Sequence, residues 1–283
     1  MVARVRTYFS FVRFSHSVFA LPFALAGALL ATRRAPLTGA KVALILVAMV
    51  AARSAAMGFN RLADARFDAL NPRTAGRELP RGAMTATEAG VFIAAASIVF
   101  VVAAWMLNPI CLALSPVALA IVFWYSLAKR VTTWTQLFLG LAMAVAPVGG
   151  WFAVGGRGGV EPWLLALAIG TWVGGFDVLY ACQDIDFDRA HGLRSIPARF
   201  GVPASLVFSR TLHVVTVAAL LGLMFVLPLG WIYVAGVAVV AALLAYEQSL
   251  VSADDLSQVK RAFDLNGYVG ILYLLVLAAA LYI

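Results

Sequence analysis

The sequence predicts an all-α integral membrane protein with about nine transmembrane helices. Its 283 residues are 63% hydrophobic and only 12% charged, whereas soluble proteins average about 45–50% apolar and about 25% charged residues. Apolar runs of about 20 residues, the length that crosses a bilayer as a helix, recur along the chain. We therefore expect lipid to be the surrounding medium and residues 1–283 to form a single membrane domain.

The apolar runs give nine candidate spans in order along the chain. Their centres lie near Leu25, Val50, Ala96, Leu119, Ala144, Ile169, Leu220, Ala238 and Leu274. Pro109 separates the third span from the fourth, residues 155–162 separate the fifth from the sixth, and Pro228 and Gly230 separate the seventh from the eighth. Proline and glycine are the residues that most often interrupt helices, so these positions mark connectors.

The N-terminal segment could alternatively be a cleaved signal peptide, because Arg4, Arg6 and Arg13 are followed by an apolar run. However, Arg13 and His16 lie inside the apolar segment, and no convincing small-x-small cleavage site follows. We therefore expect this segment to be retained as the first helix.

Charge is concentrated in alternate connectors. When Arg53 is counted with them, 17 of the 21 lysine and arginine residues fall on one side of the membrane. The opposite side keeps only Arg33, Arg34, Lys41 and Arg157. By the positive-inside rule, the first side is the cytoplasmic face of the cell inner membrane. This topology accounts for the net charge of +8 without a nucleic-acid partner.

A stripe of polar residues ends the second span. Asn60, Asp64 and Asp68 are spaced at i, i+4 and i+8, which places them on one helical face over about 12 Å. Carboxylates at i and i+4 repel each other, so the arrangement is unfavourable without a cation.

A second acidic motif ends the sixth span, where Asp184 and Asp188 are again four residues apart. Each lies 120 residues after its counterpart, Asp64 or Asp68, with four spans between the two motifs. The spacing indicates an internal duplication and places both motifs at the same membrane face. Facing carboxylates are a site for a hard cation, and Mg²⁺ commonly binds a few carboxylates together with phosphate oxygens of a substrate. The implied ligand is a diphosphate.

Basic residues on the same predicted side supply donors for the phosphate oxygens that the metal leaves free. They are Arg73, Arg77, Arg81, Lys129, Arg130 and Arg194. An ordinary positive-inside loop would account for any one of them, but it does not account for two acidic motifs at equivalent helix ends.

Aromatic residues accompany the polar motifs. Tyr125 precedes Lys129 by one turn, and Tyr180 precedes Asp184 by one turn; Trp124, Trp151 and Phe176 are expected near the same helix ends. Aromatic faces can stabilise a developing carbocation, although packing or an interfacial belt would explain each residue singly.

Asp177 lies about two turns before Asp184. A charge inside a membrane span is costly, so we expect Asp177 to face a cavity, where it either contacts the substrate or pairs with a buried arginine.

Several segments resemble those of a known family. They are Phe11–Phe14 with Ala20–Pro22, Asn60–Asp68 continuing through Arg73–Pro80, Tyr125–Arg130, and Asp184–Asp188 continuing to Ser195–Pro197. With them the chain resembles the UbiA superfamily of intramembrane prenyltransferases, specifically its 4-hydroxybenzoate polyprenyltransferase-like branch. The resemblance covers nearly the whole chain and implies nine helices around a central cavity.

The resemblance also implies roles for individual residues. Asp64, Asp68, Asp184 and Asp188 would be catalytic and, with Asn60, would hold Mg²⁺ and a polyprenyl diphosphate. Lys129 and Arg77 would bind the diphosphate. Arg13 would bind the carboxylate of an aromatic acceptor. Arg61 departs from the pattern, since many relatives have Asp directly after the Asn, and this departure bears on acceptor specificity.

The predicted reaction is metal-assisted departure of diphosphate from an allylic carbon, followed by attack of that carbon on an electron-rich aromatic ring. The acceptor is 4-hydroxybenzoate or a dihydroxynaphthoate-type acid; Asn71–Pro80 and Gly175–Asp177 look closer to a subgroup tied to menaquinone formation. A secondary transporter is the alternative from another class, because repeats and intramembrane acids also mark carriers. Carrier sites, however, lie near the bilayer midplane rather than at helix ends.

Overall fold

The computed structural model describes residues 7, 8, 10–12 and 21–283, and it confirms the all-helical fold. The long helices are α1 (Leu21–Ala31), α2 (Gly39–Leu70), α3 (Ala86–Leu107), α4 (Pro109–Val131), α5 (Thr135–Val154), α6 (Glu161–Ala181), α8 (Ile196–Gly222), α9 (Gly230–Ser249) and α10 (Val259–Tyr282). Between α6 and α8 the chain forms a 3₁₀ turn, Cys182–Asp184, and a short helix, α7 (Ile185–Ala190).

Eight helices of the described part are long and apolar enough to cross a membrane. Each contains one predicted span centre, from Val50 in α2 to Leu274 in α10. The remaining centre, Leu25, lies in α1, whose 11 described residues are apolar and mostly buried. The chain is therefore a multi-pass membrane protein.

Local sequence explains where the helices begin and end. Asn108 accepts a hydrogen bond from the Cys111 amide, and Pro109 occupies the first turn of α4, where a missing N–H group costs nothing. Thr85 and Glu88 form a reciprocal capping box at the start of α3. Gly155 ends α5 in the left-handed conformation, with φ of 109°.

Small residues let three helices approach closely in the centre of the bundle. A Cβ atom on Gly140 of α5 would clash with the Gly170 carbonyl oxygen of α6, and one on Gly150 would clash with the Ala24 carbonyl oxygen of α1. Backbones packed this tightly need glycine at the contact, as in other membrane helix pairs. The Gly170-x-x-x-Gly174 segment therefore serves helix packing.

The main buried core lies among α1, α5, α6, α8, α9 and α10. Helix α6 is the most buried span and α4 the least. Helix α2 has 32 residues, about 12 more than a bilayer requires, so its last turns carry Asn60, Asp64 and Asp68 beyond the apolar part of the bundle.

Candidate active site

A cavity of about 1110 Å³ lies inside the bundle, enclosed mainly by α2, α3, α4, α5 and α6. Its walls are largely alanine, leucine, valine and aromatic side chains. Most of its polar and charged lining is close to the two acidic motifs and includes Asn60, Arg73, Arg77, Asp177 and Tyr180. An apolar chain with an anionic head group matches this distribution of polarity.

Asp64 in the first motif lies between two cations from the end of α4. Its carboxylate is 2.7 Å from Lys129 Nζ and 3.5 Å from Arg130 Nη2. Asn60 Nδ2 donates a 3.5 Å hydrogen bond to the same carboxylate, and Arg130 also donates to the Ala63 carbonyl. The structure thus joins the end of α2 to the end of α4.

Asp68 is bound by the connector that follows α2, residues 71–84, here named the arginine loop. Arg77 Nη1 donates to both carboxylate oxygens of Asp68, at 2.7 and 2.8 Å. Thr74 Oγ1 donates to the Asp68 carbonyl at 3.0 Å. Arg81, in contrast, is exposed at the end of the loop and away from the cavity.

The same loop reaches the second motif. Arg73 Nη2 donates to Asp184 at 2.7 and 2.9 Å, while Arg73 Nη1 donates to the Tyr180 hydroxyl at 2.9 Å. Asp188 has a different partner, because Ser195 Oγ donates to it at 2.9 Å. The arginine loop therefore bridges the two motifs and brings them to one end of the bundle.

The second motif does not continue α6 as one unbroken α-helix. Asp184 ends the 3₁₀ turn Cys182–Asp184, and Asp188 lies four residues later in α7. The shared face of Asp184 and Asp188 stays a prediction. Gln183 Nε2 also donates to the Tyr180 carbonyl at 3.0 Å, which gives this helix end a side-chain donor.

Arg194 lies beside Lys129, on the side where the sequence predicts it. Its side chain donates to the Val131 carbonyl at 2.6 Å and its amide donates to the Lys129 carbonyl, so it satisfies carbonyl groups at the end of α4; its binding of the diphosphate stays a prediction. The expected position of Trp151 is wrong, because Trp151 packs under Arg34 at the opposite end of the bundle. Helix α5 starts at Thr135 beside the acidic end, and 16 residues of helix carry Trp151 about 24 Å away.

Aromatic side chains form part of the cavity wall near the acidic end. Phe176 contacts Trp172 and Phe263 edge to face, with centroids 5.3 and 5.5 Å apart, and Tyr180 packs on Phe263 at 4.7 Å. Tyr125 lines the cavity as well. Trp124 does not; it is exposed and packs on Phe138.

Arg53 is a cavity residue that the sequence analysis missed. It was counted with the charged connectors, but α2 is continuous through it, and it lines the cavity two turns inside Asn60. Its Nε atom is buried without a hydrogen-bond partner in the described part of the chain. The signal was available, since a lone arginine in an apolar run marks a functional position.

Asp177 also lines the cavity, and it forms no ion pair with any described residue. Arg53 and Tyr125 line the same cavity. Of the two alternatives for Asp177, contact with a substrate agrees better with this geometry than pairing with a buried arginine. Arg13 lies outside the described residues, so its acceptor role stays a prediction.

An apolar cavity inside a membrane bundle, with arginines and aspartates at one end, defines an intramembrane enzyme for a lipid with an anionic head group. The chain matches the UbiA prenyltransferase family over residues 20–279 and belongs to it. It is a transferase of prenyl groups, which excludes the transporter alternative.

Curated relatives and solved structures agree with this assignment. The 4-hydroxybenzoate octaprenyltransferase of Vibrio parahaemolyticus serotype O3:K6 is 36% identical over 77% of this chain and 76% of its own length. That of Tolumonas auensis is 34% identical over 78% and 77%, respectively. The apo structure of a UbiA homolog from Aeropyrum pernix K1 is 38% identical, with a TM-score of 0.85 over 94% of this chain and 96% of that one. A UbiA homolog from Archaeoglobus fulgidus bound to DMAPP and Mg²⁺ shares the fold, with a TM-score of 0.75. The match covers 96% of this chain and 99% of the homolog, and the two sequences are 18% identical.

Proposed function

We propose that this enzyme transfers a polyprenyl group from a polyprenyl diphosphate to an aromatic acid, with 4-hydroxybenzoate as the first acceptor to test and a dihydroxynaphthoate-type acid as the second. The observation that carries the proposal is the cavity itself: an apolar space with a cluster of arginines and aspartates at one end and Arg53 partway along its wall. The curated relatives named above act on 4-hydroxybenzoate by name, which sets the order of the acceptors.

The side chains at the acidic end fit Mg²⁺ as a cofactor. Mg²⁺ prefers oxygen ligands, and Asn60, Asp64, Asp68, Asp184 and Asp188 supply them. Among the described residues, however, no group of three or more His, Cys, Asp or Glu side chains could hold a metal ion. Mg²⁺ in phosphate-binding enzymes is held by one or two carboxylates together with the substrate. The donor set therefore suits a metal that binds together with the diphosphate.

Basic residues would bind the diphosphate oxygens. Arg73, Arg77, Lys129 and Arg130 all contact motif aspartates. Arginine forms paired hydrogen bonds with phosphate oxygens as readily as with a carboxylate. We infer that these donors turn from carboxylate to diphosphate when the substrate binds, leaving the aspartates to the metal.

The acceptor would bind deeper in the cavity, next to Arg53. A carboxylate is a natural partner for a guanidinium group in a low-dielectric site. Arg53 lies seven residues, or about 10 Å, from Asn60 on the same side of α2. An aromatic acid held by Arg53 would therefore place its ring between the carboxylate contact and the diphosphate site.

The reaction breaks the allylic C–O bond, and diphosphate departs with the electron pair. A C–C bond forms at the acceptor ring, and the ring proton is released. When bound, Mg²⁺ supplies positive charge that stabilises the leaving diphosphate. Arg73, Arg77 and Lys129 stabilise the same charge, the faces of Phe176 and Tyr180 stabilise positive charge on the allylic carbon, and Asp177 accepts the released proton.

We further propose that residues 1–283 form one domain in the cell inner membrane, with the acidic motifs facing the cytoplasm and the prenyl tail in contact with lipid.

The test of prenyl transfer uses purified protein in lipid nanodiscs with geranyl or longer prenyl diphosphates, each acceptor and Mg²⁺. Mass spectrometry should detect a prenylated acid with one acceptor, and EDTA should abolish it. No product with any donor and either acceptor would contradict the proposal.

A further inference from the structure

A buried ion pair joins α2 to the arginine loop. Arg61 Nη1 is 3.5 Å from Glu78 Oε2, and their side chains are only 5% and 6% exposed. Arg61 belongs to α2, one position after Asn60, whereas Glu78 directly follows Arg77 in the loop. The pair therefore links the helix that carries the first motif to the loop that contacts both motifs.

Glu78 has further contacts that hold this part of the loop. Ser10 Oγ donates to Glu78 Oε1 at 2.5 Å. The Glu78 carbonyl accepts from the Ala83 amide at 2.8 Å and from the Met84 amide at 3.3 Å. Met84 is buried with Phe11, Val12 and Ala89 in a small apolar cluster against which Leu62 and Leu79 pack. One side of the loop is thus fixed to α2 and to residues 10–12.

The opposite side of the loop carries the arginines. Arg77 and Glu78 are consecutive, so their Cα atoms are about 3.8 Å apart and one cannot shift without the other. A displaced Glu78 would move Arg77 away from Asp68 and would loosen the turn that carries Arg73. Because the ion pair is buried, removing either Arg61 or Glu78 leaves the other charge uncompensated in a low-dielectric site. The loop should therefore shift when either residue is replaced.

We propose that Arg61 is a positioning residue: through its ion pair with Glu78 it fixes the arginine loop so that Arg73 and Arg77 meet the diphosphate. Arg61 thereby acts on the affinity for the prenyl donor rather than on the choice of acceptor. The proposal rests on the proposed function only for the identity of the donor; the anchoring of the loop can be tested without catalysis.

The test compares Arg61→Gln, Glu78→Gln and the double variant, purified in detergent, with Glu161→Gln as control. Glu161 is a buried glutamate that pairs with Arg34 at 2.8 Å at the other end of the bundle, so its loss disturbs an ion pair far from the loop. We expect each single variant to raise KM for the prenyl diphosphate about tenfold. The acceptor KM should stay within about twofold, and the double variant should resemble the singles because the pair acts as a unit.

Trypsin cleavage in the arginine loop supplies the second measurement. Cleavage is scored after Arg73 and Arg81, since Glu78→Gln changes the residue that follows Arg77. We expect both single variants, but not Glu161→Gln, to be cleaved several times faster than the unmodified protein.

Three outcomes would overturn the proposal. Kinetics and cleavage equal to those of Glu161→Gln would mean that the pair contributes only to stability. A higher acceptor KM with unchanged cleavage in Arg61→Gln would mean that Arg61, which also lines the cavity, contacts the acceptor directly. If the unmodified protein forms no product in the assay, cleavage alone decides. Unchanged cleavage of both single variants would then refute the anchor, whereas faster cleavage would support the anchor and contradict only the proposed function.

Discussion

Arg73 and Asp184 are 111 residues apart in sequence, yet two hydrogen bonds of 2.7 and 2.9 Å join them across the end of the cavity. The Arg73 guanidinium also lies over the Tyr180 ring, 5.6 Å from its centroid. One residue of the arginine loop thus contacts the second motif, while Arg77, four residues later, contacts Asp68 in the first. The two acidic motifs work as one site because this loop spans them.

Loss of a motif carboxylate should therefore remove activity without unfolding the protein. We expect Asp64→Asn and Asp184→Asn each to lower kcat/KM by at least about 100-fold, since each removes charge that holds the metal and orients the arginines. Asp186→Asn is the matched control: Asp186 lies between Asp184 and Asp188 but is exposed. Near-normal turnover of either motif variant at limiting Mg²⁺ would refute a shared metal site.

Tight packing of α5 on α6 gives a prediction about stability. Gly140→Ala should destabilise the bundle by about 1–3 kcal/mol, because the added Cβ would overlap the Gly170 carbonyl and force the helices apart. Gly149→Ala on the same helix should be nearly neutral, because a Cβ there would meet no atom within 4 Å. Thermal unfolding in detergent measures both. Equal midpoints for the two variants would show that the contact tolerates a methyl group.

Much of the fold could be predicted from the sequence because the bilayer restricts the choice. A spanning segment must satisfy its own backbone hydrogen bonds, so apolar length alone locates helices, and eight span centres fall in separate long helices of the described part. The meeting of the two motifs also followed from helix counting. Trp151 lies at the other end because α5 starts at Thr135 beside the acidic motifs and runs away from them.

The details of the site depend on contacts that sequence spacing does not encode. The 3₁₀ turn Cys182–Asp184 separates α6 from α7 in a stretch that the sequence predicts as one continuous helix. Residues 71–84 form turns held by Thr74, Glu78 and Met84 rather than a helix, so the spacing of Arg73, Arg77 and Arg81 did not reveal that only the first two contact aspartates. Arg53 lines the cavity, but a count of charges assigns it only to a side of the membrane and does not show which helix face carries it.

The membrane orientation can be decided by cysteine labelling. Single cysteines are introduced in a protein that lacks the native ones, Cys111→Ala/Cys182→Ala. Leu70→Cys reports on the side of Asp68, and Val160→Cys reports on the side of Arg157. The side chains of Leu70 and Val160 are 56% and 45% exposed. Without the cavity residue Arg53, the sequence still assigns 16 of the 21 basic residues to the side of the acidic motifs, so that side should be cytoplasmic. An impermeant maleimide added to intact cells should therefore label position 160 only. Labelling of position 70 alone would reverse the orientation.

Arg53 allows acceptor binding to be separated from donor binding. Arg53→Ala should raise the acceptor KM about 10- to 150-fold, the effect of losing a charge-assisted contact of about 1.5–3 kcal/mol, and should leave the donor KM within about twofold. Lys129→Ala, which removes the 2.7 Å partner of Asp64, should do the reverse. Arg66→Ala is the matched control, an exposed arginine on the same helix.

A phenol without the carboxylate makes the test of Arg53 specific. If Arg53 binds the acceptor carboxylate, the unmodified enzyme should have a low kcat/KM for the phenol. The Arg53→Ala variant should have the same kcat/KM for the phenol as the unmodified enzyme. Arg13→Ala in the same assay shows whether the arginine predicted from the sequence shares this role. Equal losses of acceptor and donor affinity in Arg53→Ala, or an equal loss with the phenol, would mean that Arg53 supports the cavity wall instead, because a carboxylate contact cannot affect an acceptor that has no carboxylate.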